Sequence, residues 1–168
     1  MYTRIINGRI VTPEKIIHGD ILIDGNGKIK SLGVKLRHPR GGHEAAPQEE
    51  IFVFDAKGKY ILPGLIEVHG HMREPGMTEK ENVPHGTRAA LAGGVTTIID
   101  MPNTNPPTTT VERLNEKIEH VYANRSYTDY AFLMGVSKNQ LSELQNVDPT
   151  KIAGVKIFMA GHEPPPTT

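Results

Sequence analysis

The sequence has 168 residues, 37% hydrophobic and 23% charged, which suits one compact globular domain or a domain with a small appendage. Its 19 basic residues balance 19 acidic ones, so net charge draws it neither to nucleic acid nor to an anionic membrane surface. With no cysteine there is no disulfide framework and no thiolate metal site; a metal would need histidine, carboxylate or a less usual donor.

No apolar run reaches the ~18 residues that cross a bilayer. Met1 to Gly8 lacks the basic and apolar regions of a secretory leader, so a cytoplasmic location is the default expectation.

Residues 1–60 read as short strands joined by turns, a small β-domain. Tyr2–Asn7 and Arg9–Val11 flank Asn7-Gly8, a pair favoured in two-residue hairpins. Asp20–Asp24 is a strand, and Gly25-Asn26-Gly27 turns the chain into Lys28–Leu32. Lys35–Glu50 carries Pro39, Gly41, Gly42 and Pro47 and reads as an exposed loop. His38 and His43 lie in it as solvated histidines without a ligand-spaced partner. Ile51–Asp55 is one further strand.

From Tyr60 the pattern becomes strand, helix, strand, helix. Ile61–His71 is an apolar run. Glu79–Leu91 has helical composition, with Pro84 near its start and Gly93-Gly94 as a stop. Val95–Met101 is a β-branched, buried strand. Thr110–Ala123 places Val111, Leu114, Ile118 and Val121 at helical spacing. Tyr130–Val136 is a third strand, Lys138–Gln145 a short helix and Ile152–Met159 a fourth strand. Such alternation predicts an α/β fold with a parallel sheet over residues 61–168. Four units are half of a (β/α)8 barrel, which takes about 250 residues. An open half-barrel would leave apolar strand faces uncovered.

His69 and His71 lie two apart on an extended segment, so both project from one face. At the C-terminal end of a parallel strand, two imidazoles can hold zinc or a similar ion. The same spacing also describes a plain pair of exposed strand-end histidines. Arg73 continues the alternation. Lys156 interrupts the apolar Val155, Ile157, Phe158 and Met159. Burial there would favour a neutral amine able to form a carbamate, an anionic two-oxygen metal ligand. A lysine snorkelling from a strand end fits the composition equally. Asn103, in Met101-Pro102-Asn103-Thr104-Asn105-Pro106-Pro107, offers an amide to a carboxylate, although an ordinary proline-rich turn has the same composition.

Together these segments resemble the dihydroorotases of the amidohydrolase superfamily. The resemblance runs through Leu62-Pro63-Gly64-Leu65-Ile66-Glu67-Val68-His69-Gly70-His71-Met72-Arg73-Glu74-Pro75-Gly76, Gly86-Thr87-Arg88-Ala89-Ala90, Gly93-Gly94-Val95-Thr96-Thr97, Met101-Pro102-Asn103-Thr104 and Gly154-Val155-Lys156-Ile157-Phe158. It implies the first half of a (β/α)8 TIM-type metal-dependent hydrolase barrel, preceded by part of a composite β-domain. It further implies His69 and His71 as ligands of the more buried metal, and Lys156 as a carbamylated lysine bridging a pair of zinc ions. The metals would polarise the ring amide carbonyl. Arg73 and Asn103 would hold the carboxylate of dihydroorotate.

The implied reaction is reversible hydrolysis of dihydroorotate to N-carbamoyl-aspartate in pyrimidine biosynthesis. The implied partners are a small-molecule substrate and further copies of the complete protein, with no nucleic acid or membrane. Two alternatives are an allantoinase or hydantoinase, which would not need Arg73, and a non-catalytic homologue that assembles with another enzyme. The sequence departs from the family pattern at Glu67, where aspartate is frequent, and at Gly70, where a β-branched residue is frequent. Two further histidines and an aspartate, which the family takes from later strands, have no counterpart in these 168 residues.

Overall fold

The computed structural model describes residues 1–33, 51–136 and 140–159. The predicted loop from Lys35 to Glu50, with His38 and His43, lies outside the described residues. The chain divides into two compact units, Met1–Pro63 and Gly64–Thr168.

The first unit is a sheet of β1 (Tyr2–Val11), β2 (Ile16–Ile23), β3 (Ile29–Gly33), β4 (Ile51–Asp55) and the short β5 (Tyr60–Ile61). Its order is β3-β2-β1-β4, with β5 also on β1. β2 runs antiparallel to β1 and β3, whereas β4 and β5 run parallel to β1. Ile10, Ile21, Leu22 and Ala56 are buried in this unit.

Asn7-Gly8 does not form the expected hairpin; it lies inside β1. Ile5 pairs with Ile21 and Gly8 with Gly19, so Ile6 and Asn7 together face Asp20 in a bulge. Asn7 is left-handed, at φ 56°. That conformation can kink a strand as well as close a turn. Here β4 and β5 pair with β1 on either side of the bulge and keep both segments in one strand. Asp20 closes the bulge: Arg4 donates to its carboxylate at 2.6 Å and the Asn7 amide at 3.4 Å.

The second unit alternates β6 (Leu65–Gly70), α1 (Val83–Ala92), β7 (Val95–Asp100), α2 (Val111–Glu116), β8 (Asp129–Gly135), α3 (Leu141–Asn146) and β9 (Gly154–Lys156). α2 continues as a π-helical turn over Lys117–Tyr122. The strands form a curled parallel sheet in the order β6-β7-β8-β9, a half-barrel. Val83, Leu114, Val121, Tyr122 and Phe132 are the buried cluster between helices and sheet.

Two elements differ from expectation. α1 begins at Val83 rather than Glu79, because the Asn82 side chain accepts the His85 amide and Pro84 occupies the first turn. The fourth strand is only Gly154–Lys156, paired with Leu133–Gly135, and not the whole of Ile152–Met159. Leu65, Ile66 and Val68 on β6, and Val155, Ile157 and Met159 in and after β9, are exposed. The outermost strands thus carry the uncovered apolar side chains that a half-barrel entails. No helix among the described residues is long and apolar enough to cross a membrane.

Candidate active site

The candidate residues gather where β6 and β7 end. Glu67 pairs with Ile98 and Gly70 with Asp100, so Val68 and His69 form a second bulge. Bulges re-aim side chains, and they concentrate beside active sites. Here the rings of His69, in the bulge, and His71, beyond it, lie 5.2 Å apart, centre to centre, tilted by 51°.

The two departures from the family pattern have local explanations. Glu67 is long enough to fold back and accept the His69 amide at 2.8 Å. Gly70 is buried, and a Cβ there would lie 2.7 Å from Ile98 Cγ2, so a β-branched residue has no room.

His71 lies just past β6 with its Nδ1 2.8 Å from Asn103 Oδ1. An amide oxygen only accepts, so this contact puts the hydrogen on Nδ1 and leaves the Nε2 lone pair open. It also leaves the Asn103 NH2 group available to a ligand. Asn103 is held by a stiff loop. Thr104 and Thr108 amides both donate to the Pro102 carbonyl, at 3.0 and 2.9 Å, and the Thr104 hydroxyl donates to the Pro106 carbonyl at 2.9 Å. Pro102, Thr104 and Thr108 are fully buried.

Arg73 lies in the loop after His71, with a left-handed backbone at φ 59°. Among the described residues, nothing hydrogen-bonds or ion-pairs with its guanidinium. Glu74 anchors this loop: one carboxylate oxygen accepts the Val83 amide at the start of α1 (2.9 Å), and the other accepts Arg125 (2.8 Å). Gly76, at φ 85°, rests on the Asn105 backbone, where a Cβ would overlap the carbonyl oxygen. The Asn105 amide donates to the Pro75 carbonyl at 3.0 Å. The loops bearing Arg73 and Asn103 are therefore joined backbone to backbone.

Lys156 ends β9, with its backbone carbonyl accepting the Val136 amide at 3.2 Å. Its side chain is half-buried, with Nζ 5.5 Å from the centre of the Phe158 ring. Val155, Ile157 and Met159 are exposed, so this chain does not by itself enclose Lys156 in the apolar surround that its sequence predicts. β7 and β8 separate it from β6 in the sheet, and no described contact joins it to the histidines.

A cluster that no motif in the sequence singles out lies directly beneath the site. Asp100, at the end of β7, is 1% exposed, Lys117 2% and Tyr122 0%. Lys117 Nζ lies 2.7 Å from Asp100 Oδ2, and the Tyr122 hydroxyl donates to the same oxygen at 2.8 Å. Asp100 Oδ1 accepts the Met72 amide at 3.0 Å, and Lys117 also donates to the Met101 carbonyl at 3.3 Å. Burial pushes the Lys117 ammonium below its ordinary pKa, against the pull of Asp100. Burial pushes the Tyr122 phenol up, and the neighbouring Asp100 charge adds to the rise. A signal for Lys117 was present: it stands three residues after Leu114 and four before Val121, on the apolar stripe of its helix.

Among the described residues no group of three or more His, Cys, Asp or Glu could hold a metal. The imidazole pair still fits zinc as part of a donor set. The two rings lie side by side at one strand end, and the His71 ring is oriented by a hydrogen bond through Nδ1, as metal-binding histidines usually are through one ring nitrogen.

A curled parallel sheet with paired histidines at a strand end defines an amidohydrolase-like α/β half-barrel. The dihydroorotase-like family model matches residues 58–159, and the chain belongs to that family. Over 120 residues it is 42% identical to the dihydroorotase of Aquifex aeolicus, covering 68% of this chain and 26% of that protein. Over 157 residues it is 38% identical to the dihydroorotase of Pyrococcus furiosus, covering 92% and 33%. The chain thus spans about a quarter to a third of the length of these curated relatives. Among solved structures it is similar to the L-hydantoinase (dihydropyrimidinase) of Arthrobacter aurescens, at 28% identity and a TM-score of 0.79, covering 98% of this chain and 35% of that one. The dihydropyrimidinase of Brevibacillus agri matches at 31% identity and a TM-score of 0.77, covering 97% and 34%.

Proposed function

We propose that this chain supplies the N-terminal part of a zinc-dependent cyclic amidohydrolase that opens and closes the ring of dihydroorotate in pyrimidine biosynthesis, in the cytoplasm, as a homo-oligomer. Further βα units would complete a (β/α)8 barrel and bring the remaining ligands and the general acid–base. The observation that carries the proposal is the His71–Asn103 contact at 2.8 Å, one residue from each of two adjoining strand ends, with Arg73 two residues further on.

In this reading His69 and His71 present ring nitrogens to a zinc ion, and Lys156 adds a further ligand once carbamylated. When bound, the metal supplies Lewis-acid polarisation of the ring amide carbonyl. Arg73 offers a planar fork to the substrate carboxylate and Asn103 an N–H from the opposite loop. Two such donors fix ring orientation as well as affinity. Glu74 and the Gly76–Asn105 backbone contact keep those donors at a fixed separation.

The hydantoinase structures, with their high TM-scores, favour a second reading in which the substrate ring bears no carboxylate. Arg73 separates the two. In the zinc-loaded full-length protein, Arg73→Met should raise KM for dihydroorotate ~100-fold, as expected for loss of a charge-assisted bidentate contact. Turnover of hydantoin but not dihydroorotate by the unsubstituted protein would overturn the dihydroorotase assignment.

A further inference from the structure

We infer that Asp100, Lys117 and Tyr122 form a clamp that sets the direction of the chain as it leaves β6, and so positions His71 and Arg73 for catalysis. The inference rests on the proposed amidohydrolase reading for its catalytic consequence, but not for the clamp itself. All three residues are buried and none reaches the substrate side of the site, so they are positioning residues.

The geometry is that of a two-sided carboxylate. Oδ2 takes both the Lys117 ammonium (2.7 Å) and the Tyr122 hydroxyl (2.8 Å), which immobilises the group from below. Oδ1 is thereby aimed at the Met72 amide (3.0 Å), between His71 and Arg73. β6 has already ended at Gly70. Two bonds hold the segment after it against β7: Met101 N–H to the Gly70 carbonyl (2.9 Å), and the Asp100 contact to Met72. The second fixes the peptide plane on which His71 and Arg73 diverge.

The helix is built for this grip. Side chains five apart on a regular α-helix diverge by about 140° and cannot reach one atom together. The π-turn over Lys117–Tyr122 brings its first and last residues onto one face, and both meet at Oδ2. Such turns are rare, and they occur frequently at functional sites. A structural core would be served as well by apolar residues, since replacing a buried ion pair with packed hydrophobes is often neutral or stabilising. What an apolar replacement cannot supply is an acceptor for Met72.

The test compares two charge-balanced double variants of the full-length protein. Asp100→Asn with Lys117→Met removes both charges and keeps a side-chain oxygen for the Met72 amide. Asp100→Leu with Lys117→Met removes the charges and the oxygen. The leucine variant leaves the Met72 amide and the buried Tyr122 hydroxyl without their acceptor and should melt somewhat lower, so β8 serves as the internal reference. In the leucine variant, amide exchange should accelerate at least ~10-fold over residues 70–74 relative to the asparagine variant, while β8 keeps its protection. Its kcat/KM should fall ~100-fold below that of the asparagine variant, as expected for a reacting group misplaced by about 1 Å.

Equal exchange over residues 70–74 in the two variants would overturn the clamp. Equal kcat/KM with unequal exchange would overturn its catalytic role. If the leucine variant does not fold, Tyr122→Phe is used, which spares the ion pair. It should speed exchange at Met72 and lower kcat/KM about 3- to 10-fold, and unchanged values of both would overturn the inference. An inactive unsubstituted protein would defeat the dihydroorotase reading, and the exchange comparison would still decide the clamp.

Discussion

Asn103 Oδ1 and His71 Nδ1 meet at 2.8 Å, so a residue assigned to the substrate also fixes the tautomer of a residue assigned to the metal. Replacing Asn103 therefore has separable effects. Asn103→Leu should weaken zinc binding 10- to 100-fold, the usual consequence of losing an outer hydrogen bond to a ligand, and also raise KM. Asn103→Asp keeps an acceptor for His71 but sets a negative charge against the substrate carboxylate, so zinc affinity should hold while KM rises. Competition with a chelator and steady-state kinetics on the same preparations check both outcomes.

Glu74 is expected to matter for stability before chemistry. Its carboxylate takes the first amide of α1 and the Arg125 guanidinium. Arg125 is 38% exposed, so solvent screening discounts that ion pair. The loss on Glu74→Ala should therefore come mainly from the helix amide, at about 1–2 kcal/mol. Thermal unfolding measures it. Glu74→Gln, which retains an acceptor, should recover most of the loss.

Gly76→Ala should part the two loops. Its φ of 85° is costly for alanine, and the added Cβ would overlap the Asn105 carbonyl oxygen, a backbone atom that cannot rotate away. The expected result is a loss of about 2 kcal/mol or more, with KM rising because Arg73 and Asn103 separate. Unchanged melting and KM would show that the loops are not joined at this point.

Alkaline unfolding should reveal Tyr122. Its pKa is raised in the folded protein, so above its ordinary value of 10.0 the unfolded chain loses a proton that the folded chain keeps. Stability is present below that pH and falls as pH rises, by about 1.4 kcal/mol per pH unit while the folded phenol stays protonated. Lys117 acts in the opposite sense: its folded pKa is lowered, so it adds stability as pH rises towards 10.5 and nothing beyond. Between pH 10.5 and 11.5 the tyrosine slope should dominate. Subtracting melting curves of Tyr122→Phe from those of the unsubstituted protein isolates it.

Much of the second unit could be read from the sequence because its longer strands are apolar runs, β-branched in β7, and its helices carry an apolar stripe. His69 and His71 are legible because their rings stay together, 5.2 Å between centres, although His69 lies in the bulge itself. Three features were not. Asn7-Gly8 encodes a left-handed residue, and only the pairing of β4 and β5 on either side of it decides between a turn and a kink. The start of α1 depends on one side-chain bond from Asn82, which composition from Glu79 onward does not reveal. Lys156 is conspicuous among apolar neighbours in a strand. Lys117, the lysine that is fully buried, stands in a helix where charged neighbours at Glu116 and Glu119 disguise it as surface.

The π-turn has one further consequence for how this helix can vary. Each residue of an α-helix advances about 100°, so removing a single residue such as the exposed Glu119 would let α2 run on as a regular helix. In that shorter chain Lys117 and Tyr122 stand four apart, about 40° from one another, and stay on one face. At the present length a regular helix would instead part them by about 140°, so the turn widens to absorb one residue too many. Regularity and grip are thus in opposition only at this chain length, and a change that straightens the helix without shortening it comes at the expense of the peptide that carries His71 and Arg73.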